Sequence, residues 1–123
     1  MAKLRGRQRL GIEVGFLVPV REDRNLGSGR RQPADRWEWL SARLRERFGG
    51  FSASRATVMG FYRDPDTRRP VQDDSRAYTL ALKRADVAEL RRILGREVAP
   101  RFVQKCIYLA VGVDVELVFN AEL

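Results

Sequence analysis

Apolar and polar positions alternate between Leu10 and Val20, with Leu10, Ile12, Val14, Phe16 and Val18 set against Gly11, Glu13, Gly15 and Leu17. A period of two predicts a strand with one face on a core. The alternation stops at residue 21. Residues 21–34 carry Asn25-Leu26-Gly27-Ser28-Gly29, then Arg30, Arg31 and Pro33, and predict a mobile basic loop because turn formers replace any apolar period. Trp37, Leu40, Leu44 and Phe48 then recur at steps of three, four and four, which specifies one face of a helix ending at Gly49-Gly50. Asp35 and Glu38 have the spacing of a capping box. Trp39 falls about 150 degrees from the apolar stripe, so it is expected to point outward and to suit an interface.

Strand-favouring residues return from Phe51 to Arg63, with Met59 and Phe61 on one face, Gly60 and Tyr62 on the other, and room for a bulge at Ser52 to Ser54. Asp64-Pro65-Asp66-Thr67-Arg68-Arg69-Pro70 reads as a hairpin connection, and a second strand runs from Arg76 to Lys83 with Tyr78, Leu80 and Leu82 facing the core. Val87, Leu90, Leu94 and Val98 repeat the helical spacing behind Asp86 and Glu89, a second capping box, and Pro100 closes the helix. Val103, Lys105, Ile107, Leu109 and Val111 alternate as another strand. Gly112 to Asp114 then offers a turn into a short extra strand, Val115 to Phe119.

The resulting order, β-α-β-β-α-β with that C-terminal addition, predicts an α+β fold of the split βαβ or ferredoxin-like kind, two helices covering one face of an antiparallel sheet. Residues 1–9 form a basic arm, and residues 10–123 form a single domain. The uncovered sheet face, which includes Leu17, Cys106 and Tyr108, is too apolar to remain bare, so Leu17, Tyr108 and Trp39 are the expected contacts of a homo-oligomer.

The stretch Phe48-Gly49-Gly50-Phe51-Ser52, Gly60-Phe61-Tyr62-Arg63-Asp64, Gln72-Asp73-Asp74 and Tyr78 resembles small prokaryotic ferredoxin-like proteins. In that family an FGG turn leads into a glycine-aromatic strand and an acidic hairpin. The resemblance implies the fold and carries over no activity, because catalytic residues are unassigned among those relatives.

Composition narrows the chemistry. The 123 residues hold no histidine, one cysteine, and 21 arginines against three lysines. Without histidine the commonest acid-base group and metal ligand are missing, so catalysis must run on carboxylates, arginines or tyrosines. The lone Cys106 lies in an apolar run and reads as a packed thiol of a reducing, cytoplasmic compartment. The apolar stretch after the basic N-terminus is interrupted by Glu13 and followed by no small-residue cleavage site, so neither a secretion signal nor a membrane partner is expected.

The net charge is +8, with a surplus in the first 34 residues. Lys3, Arg5, Arg7, Arg9, Arg30 and Arg31 are therefore the expected contacts for nucleic acid or an acidic protein. Together these features favour a non-enzymatic, oligomeric binding or assembly subunit without a cofactor. Two alternatives compete with it. One is a magnesium-dependent nuclease using Glu13, Glu22 and Asp23, or the hairpin group Asp64, Asp66, Asp73 and Asp74, since phosphodiester hydrolysis requires a metal ion and positioned carboxylates. The other is a small anionic-ligand domain using Arg55, Arg63 or Arg76.

Overall fold

A computed structural model describes residues 5–123. Eight residues, Ile12–Pro19, form β1, whose Val14, Phe16 and Val18 are completely or almost completely buried. The alternation therefore marks this strand's core face, although Leu10 lies before the strand and remains exposed. Helix α1, Ala34–Phe48, buries Leu40 and Leu44 and packs Trp37 and Phe48 against the same core. Its N-cap is Pro33, with no side-chain cap. Asp35 instead occupies the first turn, where its charge favours the positive end of the helix dipole.

The next apolar stretch is divided. Ser52–Ala53 forms β2 and Val58–Arg63 forms β3, and both pair with β4, Pro70–Leu82. The break at Ser54 is anchored rather than slack, because Ser54 donates its backbone N–H to the Ala77 carbonyl and its hydroxyl accepts the Ala77 N–H. Strand β4 begins at Pro70, six residues before the strand predicted from the apolar pattern. Pro70 is tolerated because it stands at the strand's first position, where a missing donor costs little.

A helical arm follows β4. A tight turn at Arg84–Asp86 leads into α2, Val87–Ile93, then a widened turn, Leu94–Val98, and the short α3, Ala99–Arg101. Val87, Leu90, Leu94 and Val98 are all buried, as their spacing requires. The widening precedes Pro100, whose ring excludes the carbonyl four residues earlier and whose nitrogen has no hydrogen to donate. Asp86 makes no cap; its carboxylate lies 3.5 Å from Arg47, and Glu89 pairs with Arg92.

Strands β5, Cys106–Val111, and β6, Asp114–Phe119, complete the chain around a two-residue turn whose first position, Gly112, has φ of 59°. That left-handed conformation suits a tight hairpin and is easiest for glycine.

The sheet is antiparallel throughout, in the order β2-β4-β1-β5-β6, with β3 also on the outer side of β4. The architecture is α+β. Its core lies between the helices and one sheet face, where Phe16 stacks on Tyr78 with centroids 5.1 Å apart. Among the described residues, no helix is long and apolar enough to cross a membrane.

Register places the candidate site on the opposite face. Strand β4 pairs with β1 only from Ser75 to Leu82, so its first five residues run past the end of β1. Val20 makes the last link, donating to the Asp74 carbonyl, and residues 21–31 fold back beside the overshooting strand.

Candidate functional site

The overshoot creates a cleft of about 290 Å³ between the folded-back loop and the β3–β4 hairpin. On the loop side it is lined by Arg21, Glu22, Asp23, Arg24, Asn25 and Gly29. On the strand side stand Tyr62, Asp64, Val71, Gln72 and Asp73, with Gln104 below. This volume falls near the lower end for small-molecule sites. A larger groove of about 650 Å³ lies elsewhere on the sheet, but two of its charged groups, Arg47 and Asp86, are already paired.

The Tyr62 hydroxyl donates to Asp73 Oδ2 at 2.9 Å. Asp73 faces Gly60 across the strands and Tyr62 faces Val71, so the tyrosine and aspartate are diagonal neighbours on one face. Glycine opposite the aspartate leaves that diagonal open. Burial raises the Asp73 carboxyl above its ordinary range, assisted by the charges of Asp23 and Asp74 and opposed by the Tyr62 hydrogen bond. Burial also raises the Tyr62 hydroxyl, and Asp73 adds to that effect through its charge and hydrogen bond. Two perturbed titratable groups joined in a cleft mark a candidate site for chemistry.

The loop wall is built. Arg21 and Arg31 form a β-bridge, Glu22 donates its N–H to the Arg30 carbonyl, and Gln32 donates to Val20. Glu22 is buried, and its carboxylate accepts from Arg36 at 2.7 Å and Arg30 at 3.2 Å. The Arg36 hydrogen bond is the strongest influence holding its pKa down. Beneath the loop, Gln104 donates to the Arg21 carbonyl at 2.8 Å, while Asp23 donates its N–H to Val103 at 2.9 Å. These contacts replace the expected mobile loop with an ordered wall.

The hairpin is anchored too. Lys105 lies 3.0 Å from carboxylate oxygens of both Asp64 and Asp66. Asp64 also accepts backbone N–H groups from Thr67 and Asp66, which together with Lys105 lower its pKa to about 2.

These positions set apart the candidate residues singled out from sequence. Asp64, Asp66, Asp73 and Asp74 do not converge as one ligand set: the first two hold Lys105, Asp73 holds Tyr62, and Asp74 belongs to the other face of β4. Glu13 lies opposite Ala81 on the part of β1 farthest from Pro19, while Glu22 is neutralised by two arginines. Among the described residues, no three metal-binding side chains are grouped to hold an ion.

Arg55 is exposed, Arg63 donates to the Arg68 carbonyl, and Arg76 stacks over Trp37 at 4.3 Å, so those arginines do not share one ligand site. The proposed polyanion contacts are also divided. Arg30 holds Glu22, Arg5, Arg7, Arg9 and Arg31 are exposed, and Lys3 lies outside the described residues. Trp39 is half-buried against the core with Arg101 over its ring at 4.0 Å, so its own chain covers it. Leu17 and Tyr108 are paired neighbours on the uncovered sheet face, and Tyr108 is exposed.

No protein-family model matches the chain, and no curated protein matches its sequence. Its structure is similar to a phage SAM lyase in complex with S-methyl-5′-thioadenosine, with a TM-score of 0.63, 16% identity and 96% of each chain covered. It is also similar to a phage SAM lyase in the apo state, with a TM-score of 0.60, 17% identity and coverage of 95% of this chain and 96% of the other. The likeness overturns the expectation of a non-enzymatic binding or assembly subunit, because the fold shared over nearly the whole chain is one that serves an enzyme.

Proposed function

We propose that this chain is a lyase that releases S-methyl-5′-thioadenosine from S-adenosylmethionine. The observation that carries the reading is the Tyr62–Asp73 pair within the loop–hairpin cleft, on a fold similar to that of the phage SAM lyase. The same reading takes the strand order as a ferredoxin-like arrangement extended by β6.

The substrate's sulfonium cation matches the site's chemistry. Asp73 offers an anion, and the Tyr62 ring offers a π face suited to a positive charge. The hydroxyl hydrogen bond leaves one Asp73 oxygen free of that contact and fixes the carboxylate's direction.

Cleavage breaks the bond between sulfur and the carbon chain of the amino acid, and the bonding electron pair remains on sulfur. The leaving group is then a neutral thioether that requires no proton, which removes the need for a histidine acid. The four-carbon fragment completes its valence by bonding to its own carboxylate, forming a lactone, or by losing a neighbouring proton to the Asp73 carboxylate, forming an alkene. Those products are isomers, and proton NMR distinguishes them.

The test is incubation of the purified chain with S-adenosylmethionine, with thioadenosine release followed by liquid chromatography against an enzyme-free control. Release above the spontaneous rate, reduced at least about 100-fold in Asp73→Asn, is expected if the carboxylate acts in the reaction. Release no faster than the control would overturn the lyase reading.

A further inference from the structure

The two arginines on the loop wall differ from the ion-paired acids that share the cleft with them. Glu22 is satisfied by Arg30 and Arg36, and Asp64 by Lys105, whereas Arg21 and Arg24 have no ion-pair partner among the described residues. Both guanidinium-bearing chains meet Gly29. Arg21 Nη1 lies 3.5 Å from the Gly29 carbonyl, and a Cβ at position 29 would stand 2.7 Å from Arg24 Cγ. Gly29 also has φ of 77°, so the chain turns there in a conformation that leaves a seat for the Arg24 stem. Across the cleft stand Tyr62 and Asp73, whose charge partners include acids and no arginine. The cleft therefore sets Arg21 and Arg24, with Asp23 between them accepting the Asn25 N–H, across from an acidic, aromatic wall.

Resting on the lyase reading, we infer that Arg21 and Arg24 form the subsite for the carboxylate of the substrate's amino-acid end, setting the sulfonium toward Tyr62 and Asp73. A guanidinium presents parallel N–H donors that match a carboxylate, and two on one wall fix the ligand's direction as well as its charge. The thioadenosine product lacks this carboxylate. It makes no contact with the arginines and leaves more readily than an intact substrate.

Three ligands separate this inference from the reading beneath it. S-adenosylhomocysteine and S-methyl-5′-thioadenosine are both thioethers, but only the former has the amino-acid end; AMP provides a phosphate instead. Calorimetry on the full chain is expected to give S-adenosylhomocysteine an affinity at least about ten-fold above that of S-methyl-5′-thioadenosine. In Arg21→Met/Arg24→Met that preference should fall to within about two-fold, while affinity for the thioadenosine stays unchanged. The exposed arginines leave the core intact, and an unchanged melting curve checks this.

A wild-type chain that binds both thioethers equally, or a preference that survives the double substitution, would overturn the inference and leave the lyase reading intact. Stronger binding of AMP than of S-adenosylhomocysteine would replace the carboxylate assignment with a phosphate site. A wild-type chain that binds neither thioether would remove the lyase reading and this inference together.

Discussion

Asp73 places a charge where folding alone would favour a neutral group. Its folded-state pKa is raised above 3.8 by burial, so the folded chain retains the Asp73 proton to higher pH than the unfolded chain does. Asp73 thus favours folding when protonated, and that contribution is lost as pH rises from 3.8 through the raised folded value. Asp73→Asn keeps an acceptor for the Tyr62 hydroxyl and removes the charge. Its melting temperature is expected to exceed wild type at pH 7 and to match it at pH 3, while thioadenosine release falls at least about 100-fold. A variant less stable than wild type at pH 7 would show that the ionised aspartate holds the fold together. Tyr62→Phe is a milder change that removes only the hydroxyl. A roughly ten-fold loss of turnover, with little change in melting, is the expected assay result.

The hairpin explains which elements were legible. Val14, Phe16 and Val18 repeat against a core, and so do Leu40 and Leu44 or Val87, Leu90 and Leu94; each pattern therefore identifies its element. The first half of β4 has no such core beneath it. Gln72, Asp73 and Asp74 form strand because they pair with β3, a tertiary circumstance that side-chain periodicity does not carry. The candidate site inherits that difficulty: Tyr62 and Asp73 meet only once the register is known, and Arg21 and Arg24 acquire a role only when the loop folds beside the overshoot. Of the aspartates that resembled a metal-ligand group, Asp64 and Asp66 are hairpin fastenings and Asp73 belongs to the cleft.

Lys105→Met tests that fastening. Hydrogen exchange at residues 64–69 is expected to accelerate at least about ten-fold, while amides of β1 remain protected. Unchanged exchange at the turn would show that the backbone bonds hold it without the lysine. Acid should act on the same element. Asp64 has a lowered folded pKa of about 2, so its stabilisation is present above the unfolded value of 3.8 and is lost as pH falls through that window toward 2.

Across the whole molecule, stability and the proposed chemistry occupy opposite sides of the sheet. The helix side buries Val14, Phe16, Leu80, Leu90, Ile93 and Leu109, and several of its arginines are held in structural pairs such as Arg43–Glu97 and Arg91–Glu116. The other side carries Tyr62, Asp73 and the cleft, where charges remain available to a ligand. Arginine excess therefore has two physical meanings in one chain, which composition alone does not separate.

The division predicts that the two sides fail differently. Leu90 is wholly buried, and Leu90→Ala removes apolar contacts from the helical arm and leaves a cavity, costing about 2–5 kcal/mol. Urea unfolding should show that loss as a lower midpoint with an unchanged slope. Under conditions where the variant remains folded, thioadenosine release per folded molecule should match wild type, whereas Asp73→Asn loses release while remaining folded. A comparable turnover loss in folded Leu90→Ala would mean that packing beneath the sheet sets the cleft's geometry, and the two faces would then have to be treated as one coupled unit.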